Sequence, residues 1–126
     1  MLSKSRKKGT PEGYCRNAYR LAEFLIRIIE DKYKVAITHG NSSQVSIIAE
    51  WMMIGLRLKN LPPMTLDIAG AMNQVWLGYI IQQSLYNKLL EKGLLGDKIK
   101  GVVTTIVTQM LVNKNDSAFN NLYIAP

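Results

Sequence analysis

A single cysteine, Cys15, and a single histidine, His39, stand far apart in this chain, so it closes no disulfide of its own and offers no thiol or imidazole cluster to a metal. The expected compartment is therefore reducing, the cytoplasm. Acids are scarce as well: 9 against 16 lysines and arginines leave a formal charge of +7. Four positive charges, Lys4, Arg6, Lys7 and Lys8, crowd a terminus free of acids, so only three of the excess belong to the body. A basic tail touches phosphate without specificity, and no stripe of mixed basic and aromatic residues follows it. No specific nucleic-acid partner is expected. Long apolar runs are missing too. The basic start gives way to Gly9-Thr10-Pro11-Glu12-Gly13 where a secretory signal needs an apolar stretch. The most apolar region, residues 64–81, contains Asp67, Asn73 and Gln74, which lipid would not accept without a cost of roughly several kcal/mol. No membrane partner is expected.

What is present is ordinary for one globular domain with a core: 126 residues, 48% apolar and 20% charged. We expect a basic tail over residues 1–9 and a single unit over 10–126. Thr10-Pro11-Glu12 is a helix start: threonine caps free amides, proline is tolerated in the first turn, and glutamate complements the positive helix end. From there to about Glu30, Ala18, Leu21, Ala22, Leu25, Ile28 and Ile29 recur at spacings of three and four, which predicts one apolar helix face. Residues 44–58 read as a second helix, ended by Lys59-Asn60-Leu61-Pro62-Pro63. A third helix is expected from a Thr65 cap through Leu89, with Gly93 as its stop. Gly70 and Gly78 lie inside it; each weakens a free helix by about 1 kcal/mol, so close packing is expected there.

Two short β-branched runs separate these helices: Lys34-Val35-Ala36-Ile37-Thr38 and Gly101-Val102-Val103-Thr104-Thr105-Ile106-Val107-Thr108. Both read as strands buried on two faces, and strands alternating with helices predict parallel pairing in a layered α/β domain. A sheet of two strands is marginal, so further structure is expected to complete it.

In open α/β folds, ligands sit beyond the carboxyl ends of strands, where loops enter helix amino-termini with unpaired amides. His39 to Gln44 occupies that place. Gly40 is expected to allow a tight turn and a close ligand approach, Asn41 offers a donor and an acceptor, and Ser42 and Ser43 add hydroxyls and amides at a positive helix end. Such a loop suits a carboxylate, carbamate or phosphate; the same residues also make an ordinary capped turn. His39 has no carboxylate placed by sequence to orient it as a base, so a loop histidine is expected. Asp67 is expected as a dipole partner near a helix start, Asp116 as a turn residue, and Cys15 as a packing residue.

The order of residues resembles the carbamate kinases. These carry Thr-His-Gly-Asn-Gly-Pro-Gln-Val-Gly where Thr38-His39-Gly40-Asn41-Ser42-Ser43-Gln44-Val45-Ser46 stands here. Their Pro-Leu-Asp-Val-x-Gly-Ala-x-x-Gln-Gly-x-x-Gly-Tyr-x-x-Gln-Gln helix is similar to residues 65–83, in which Leu66, Asp67, Gly70, Ala71, Gln74, Gly78, Tyr79, Gln82 and Gln83 coincide. Their Thr-Gln-Val-x-Val-Asp-x-x-Asp-Pro-Ala-Phe-x-Asn segment resembles residues 108–121, from Thr108-Gln109 to Ala118-Phe119 and Asn121.

The resemblance implies an incomplete three-layer α/β/α sandwich of the amino-acid-kinase type with a mainly parallel sheet. It also implies a reaction, phosphate moving between carbamoyl phosphate and ADP to give ATP, ammonia and carbon dioxide. ATP or ADP and magnesium would serve a lobe this stretch does not match, so no cofactor is expected on this chain. Carbamoyl phosphate or another small anion would meet Gly40, Asn41, Ser42 and Ser43, no catalytic residue is assigned, and Gln74 and Gly78 fall on a helix used for packing and dimer contacts. A homodimer or other self-association is expected, as is inactivity of this chain alone. The departures are specific. Ser42, Ser43 and Ser46 replace glycine, proline and glycine; the family's Gly-Gly-Asn-Ala strand has no counterpart here; and Ile124 stands where the family has a lysine. A non-catalytic dimerisation or regulatory module is the alternative.

Overall fold

The computed structural model describes residues 10–40, 43–96 and 103–117. Three helices carry the fold: α1 (Pro11–Glu30), α2 (Ser43–Lys59) and α3 (Leu66–Glu91). The expected tail at residues 1–9 lies outside the described residues.

Each helix begins and ends for local reasons. Thr10, in extended geometry, accepts a hydrogen bond on its hydroxyl from the Gly13 amide at 3.1 Å, and Pro11 opens α1 where a missing N–H costs nothing. At the far end of α1 the Tyr33 amide donates to the Ile28 carbonyl and the Lys32 amide to that of Ile29, with Lys32 in the left-handed region at φ 65°. The end of α3 repeats this bonding: Leu94 to Leu89, and Gly93, at φ 60°, to Leu90. That pattern satisfies the orphan carbonyls of a helix end and folds an apolar residue back on the last turn. Leu94 is accordingly buried. Thr65 occupies the cap position of α3 in extended geometry but makes no side-chain bond to a capping amide. Its hydroxyl bonds the Asp67 carboxylate instead and is the main reason that group is held below its ordinary pKa.

The core is a seam between α1 and α3. Ala22, Leu25 and Ile26 of the first close on Leu85 and Leu89 of the second, with Leu94 beneath and Ile28, Ile29 and Val103 at the margin. Burial of such side chains stabilises by roughly 1.5–3 kcal/mol each relative to exposure. One polar knot marks the seam's edge. The Tyr19 hydroxyl donates to Glu91 at 2.7 Å, Lys88 pairs with Glu91 at 3.0 Å and Glu23 at 3.4 Å, and the Lys88 ammonium lies 4.0 Å from the centre of the Tyr19 ring. Helix α2 leans on α3 through Trp51 stacked on Trp76 at 5.9 Å, while Tyr14 of α1 meets Trp76 edge-on at 5.5 Å.

The expected parallel-rich α/β/α sandwich is not what forms. The described residues are helical, with no strand and no sheet; Leu95 alone makes an isolated bridge. Residues 33–40 and 103–112 run without helix, turn or bend, and no backbone hydrogen bond within the described residues reaches 34–40 or 103–112. The β-branched composition does produce straight chain, but strands pair only when their backbones come within about 4.8 Å. Here an open groove of about 670 Å³ is bordered by both segments and floored by Ile81, Leu85 and Leu89 of α3. Burial on two faces fails with the pairing: Val35, Ile37, Ile106 and Val107 are all exposed. Residues 101–102 of the second run lie outside the described residues.

Candidate functional site

The loop expected to hold an anion lies between the first straight segment and α2. Both segments leave the core cluster, the first from Tyr33 bonded back to Ile28 and the second from Val103, and both His39 and Thr108 line the groove they enclose. His39 and Gly40 are exposed. Ser43 is the first residue of α2, and the first turn of that helix contains no acid. The positive end of a 17-residue helix therefore follows on the loop. Asn41 and Ser42 lie outside the described residues, so the structure places the two ends of the loop and not its centre.

Gly40 is not in the left-handed region, and among the described residues a Cβ built on it meets nothing within 4 Å. Gln44, next along α2, has a side-chain oxygen that is buried without a hydrogen-bond partner, a state that costs about 1–3 kcal/mol when nothing compensates it. It stands beside the centre of the loop, and its amide is the polar group nearest in sequence that the fold has turned inward.

The other wall of the groove is fastened by a stripe along α3. Gln74 binds the backbone of Thr108 twice: its side-chain oxygen accepts from the Thr108 amide at 2.9 Å, and its side-chain nitrogen donates to the Thr108 carbonyl at 3.3 Å. One turn on, Gly78 lies against Thr105, and any Cβ there would collide with the threonine methyl and come within 2.9 Å of its hydroxyl oxygen. One turn further, Gln82 accepts from the Thr105 hydroxyl at 2.9 Å. The eight residues from Gln74 to Gln82 advance about 12 Å along a helix, and three extended residues cover about 10 Å, so residues 105–108 lie straight and antiparallel to α3. The sequence singles out Gln74 and Gly78. Gln82 is read there only as one of the coinciding motif residues and Thr105 only as part of a β-branched run; the four-residue spacing from Gln74 through Gly78 to Gln82 is the signal that joins them.

Three other residues fall away from this place. Cys15 is exposed on α1, Asp67 sits in the first turn of α3 beside Thr65, and Asp116 belongs to a turn in which its amide donates to the Asn113 carbonyl at 3.0 Å. None lines the groove. Among the described residues no helix is long and apolar enough to cross a membrane.

No protein-family profile matches the chain. Individual relatives do. It is 42% identical over 120 residues to a carbamate kinase of Pyrococcus horikoshii, and 40% identical over 120 residues to one of Pyrococcus furiosus. Each alignment covers 95% of this chain and 37% of the relative. The structure of a carbamate kinase from Giardia lamblia bound to AMP-PNP superposes with a TM-score of 0.77 at 30% identity, over 96% of this chain and 39% of that one. The chain thus spans well under half the length of the proteins it matches.

Proposed function

Because this chain is a homologue of the carbamate kinases over nearly all of its own length, we propose that its residues serve the acceptor side of that family's reaction, the transfer of phosphate between carbamoyl phosphate and ADP. In this proposal Gly40, Asn41, Ser42 and Ser43 receive carbamoyl phosphate or a like small anion. The observation that carries it is the start of α2 at Ser43, three residues after an exposed Gly40, with no acid in its first turn. The helix dipole there favours an anion by roughly 0.3–1 kcal/mol at an exposed end. In this proposal Gly40 serves the close ligand approach expected of it: the space above it, open among the described residues, admits an oxyanion near the backbone.

Phosphoryl transfer needs positioning together with cations that neutralise charge on the phosphoryl oxygens. The residues proposed here position. In this proposal these 126 residues by themselves bind the acceptor without turnover, and the cations that serve the transfer are supplied elsewhere. ATP and ADP, used by carbamate kinases, would be held by sequence that the relatives carry and this span does not match. A cytoplasmic setting suits the lone exposed thiol of Cys15.

Calorimetry tests both halves. Carbamoyl phosphate is expected to bind saturably and ATP not at all, and Asn41→Ala is expected to weaken the former about tenfold, close to one lost charge-assisted hydrogen bond. Tight ATP binding, or carbamoyl phosphate binding indifferent to Asn41→Ala, refutes the assignment.

A second proposed property is self-association. Leu58, Leu61, Met64 and Leu66, clustered in sequence between α2 and α3, are all more than half exposed, and apolar clusters of this kind are typically covered by a partner surface.

A further inference from the structure

The second straight segment carries its firmest anchor at its tip. Gln74 bonds the amide and the carbonyl of Thr108, and the threonine hydroxyl lies 3.5 Å from the same Gln74 oxygen. Further along α3, Gln82 holds Thr105 through its hydroxyl. The bond at Thr105 restrains a side chain. The pair at Thr108 restrains the backbone itself, against sliding and against rotation about the chain.

What that tip lies beside follows from length. Both straight segments start at the core: the Tyr33 amide is bonded to the Ile28 carbonyl, and Val103 packs on the buried cluster. From there residues 33–39 extend about 20 Å and residues 103–108 about 17 Å. Both border one groove along α3, so their tips emerge at the same end, where the first leads through Gly40 to the start of α2. The holding group suits that neighbourhood. Gln74 supplies a donor and an acceptor without a charge, and among the described residues the groove's lining contains no carboxylate.

We propose that Gln74 is a positioning residue for the anion site: through Thr108 it sets where the second wall stands relative to His39 and Gly40 when carbamoyl phosphate binds. This rests on the acceptor-side reading above and adds to it a residue that touches no ligand. Linkage makes the role reciprocal. If a fixed Thr108 favours binding, binding must fix Thr108 by the same factor.

Hydrogen exchange and calorimetry on the full chain test this, at a temperature where circular dichroism shows the helices intact. Saturating carbamoyl phosphate is expected to slow exchange of the wild-type Thr108 amide about fivefold, a measurement that needs no variant. Gln74→Leu is expected to raise the dissociation constant for carbamoyl phosphate about fivefold and to abolish the protection. Gln82→Leu loosens the same segment away from its tip and is expected to leave that constant within about twofold. Equally tight binding by Gln74→Leu, or a wild-type Thr108 amide indifferent to the ligand, overturns the positioning role and leaves the anion site standing. Equal weakening by Gln74→Leu and Gln82→Leu overturns it too, since any slack in the segment would then suffice. A wild-type chain that does not bind carbamoyl phosphate overturns the anion site and this role together.

Discussion

Gln74 holds Thr108 by both of its backbone groups, at 2.9 Å to the amide and 3.3 Å to the carbonyl, so one side chain of α3 does for this segment what a neighbouring strand does in a sheet. A net contribution of about 0.5–1.5 kcal/mol per bond, at the low end because the contact is exposed, puts the pair near 1 kcal/mol. Gln74→Leu is expected to lower stability by about that amount and to speed hydrogen exchange at the Thr108 amide. Gln74→Glu keeps the acceptor and loses the donor, and its effect is expected to fall between wild type and the leucine variant.

Gly78→Ala sets two effects against each other. Alanine favours the helix by about 1 kcal/mol, whereas forcing a methyl group against Thr105 costs roughly 1–3 kcal/mol. The wall can yield more easily than the core. Residues 103–108 are expected to lift from α3 with little loss of helical signal, and Gly78→Ala with Thr105→Gly is expected to restore the contact. Exchange rates of the 105–108 amides measure this, and unchanged rates in the single variant would contradict the packing described.

Lys32 is a lysine in the left-handed region, at φ 65°, where an L side chain costs roughly 1–2 kcal/mol. Lys32→Gly relieves that strain but gives the unfolded chain more freedom, so a net gain of about 0.5–1 kcal/mol and a melting point higher by a few degrees are expected. Asn60, at φ 53°, tolerates this conformation better and is expected to gain less from glycine.

The knot at the seam predicts a pH dependence. The Tyr19 hydroxyl, and after it Lys88, holds Glu91 below the ordinary glutamate range, while Tyr19, then Glu91, holds Lys88 above the ordinary lysine range. A depressed carboxyl stabilises the fold above its unfolded value of about 4.3, and that stability is lost as pH falls through the lower folded value. A raised lysine contributes fully below its unfolded value of about 10.4 and loses the contribution only as pH climbs through the folded one. Thermal melts are therefore expected to be flat in this respect from about pH 6 to 9 and to fall in acid. Glu91→Gln should flatten part of the acid limb; an identical acid limb in that variant would remove the knot from the account.

The helices were legible in the sequence because their signals are local. Thr10-Pro11 and Gly93 each act within one turn, and the observed bounds Pro11–Glu30 and Leu66–Glu91 follow from them. Thr65 shows the limit of such signals, since a neighbouring carboxylate at Asp67 drew its hydroxyl away from the cap. The sheet was not legible for a different reason. Val35-Ala36-Ile37 and Val103 to Thr108 specify straight, apolar chain, but pairing depends on where another backbone lies, and no residue in either run encodes that. In the candidate site the start of α2 beside Gly40 was readable from the serines that follow. The geometric need for glycine was not, because it depends on a backbone angle and a neighbour rather than on a motif.

Among the described residues only the 105–108 wall is bonded to α3, through Gln74 and Gln82, whereas the wall ending in His39 has its one backbone tie at Tyr33. The two sides of the groove are thus unequally anchored: a substitution on the outer turns of α3 reaches the second wall directly and the first only through the end of α1.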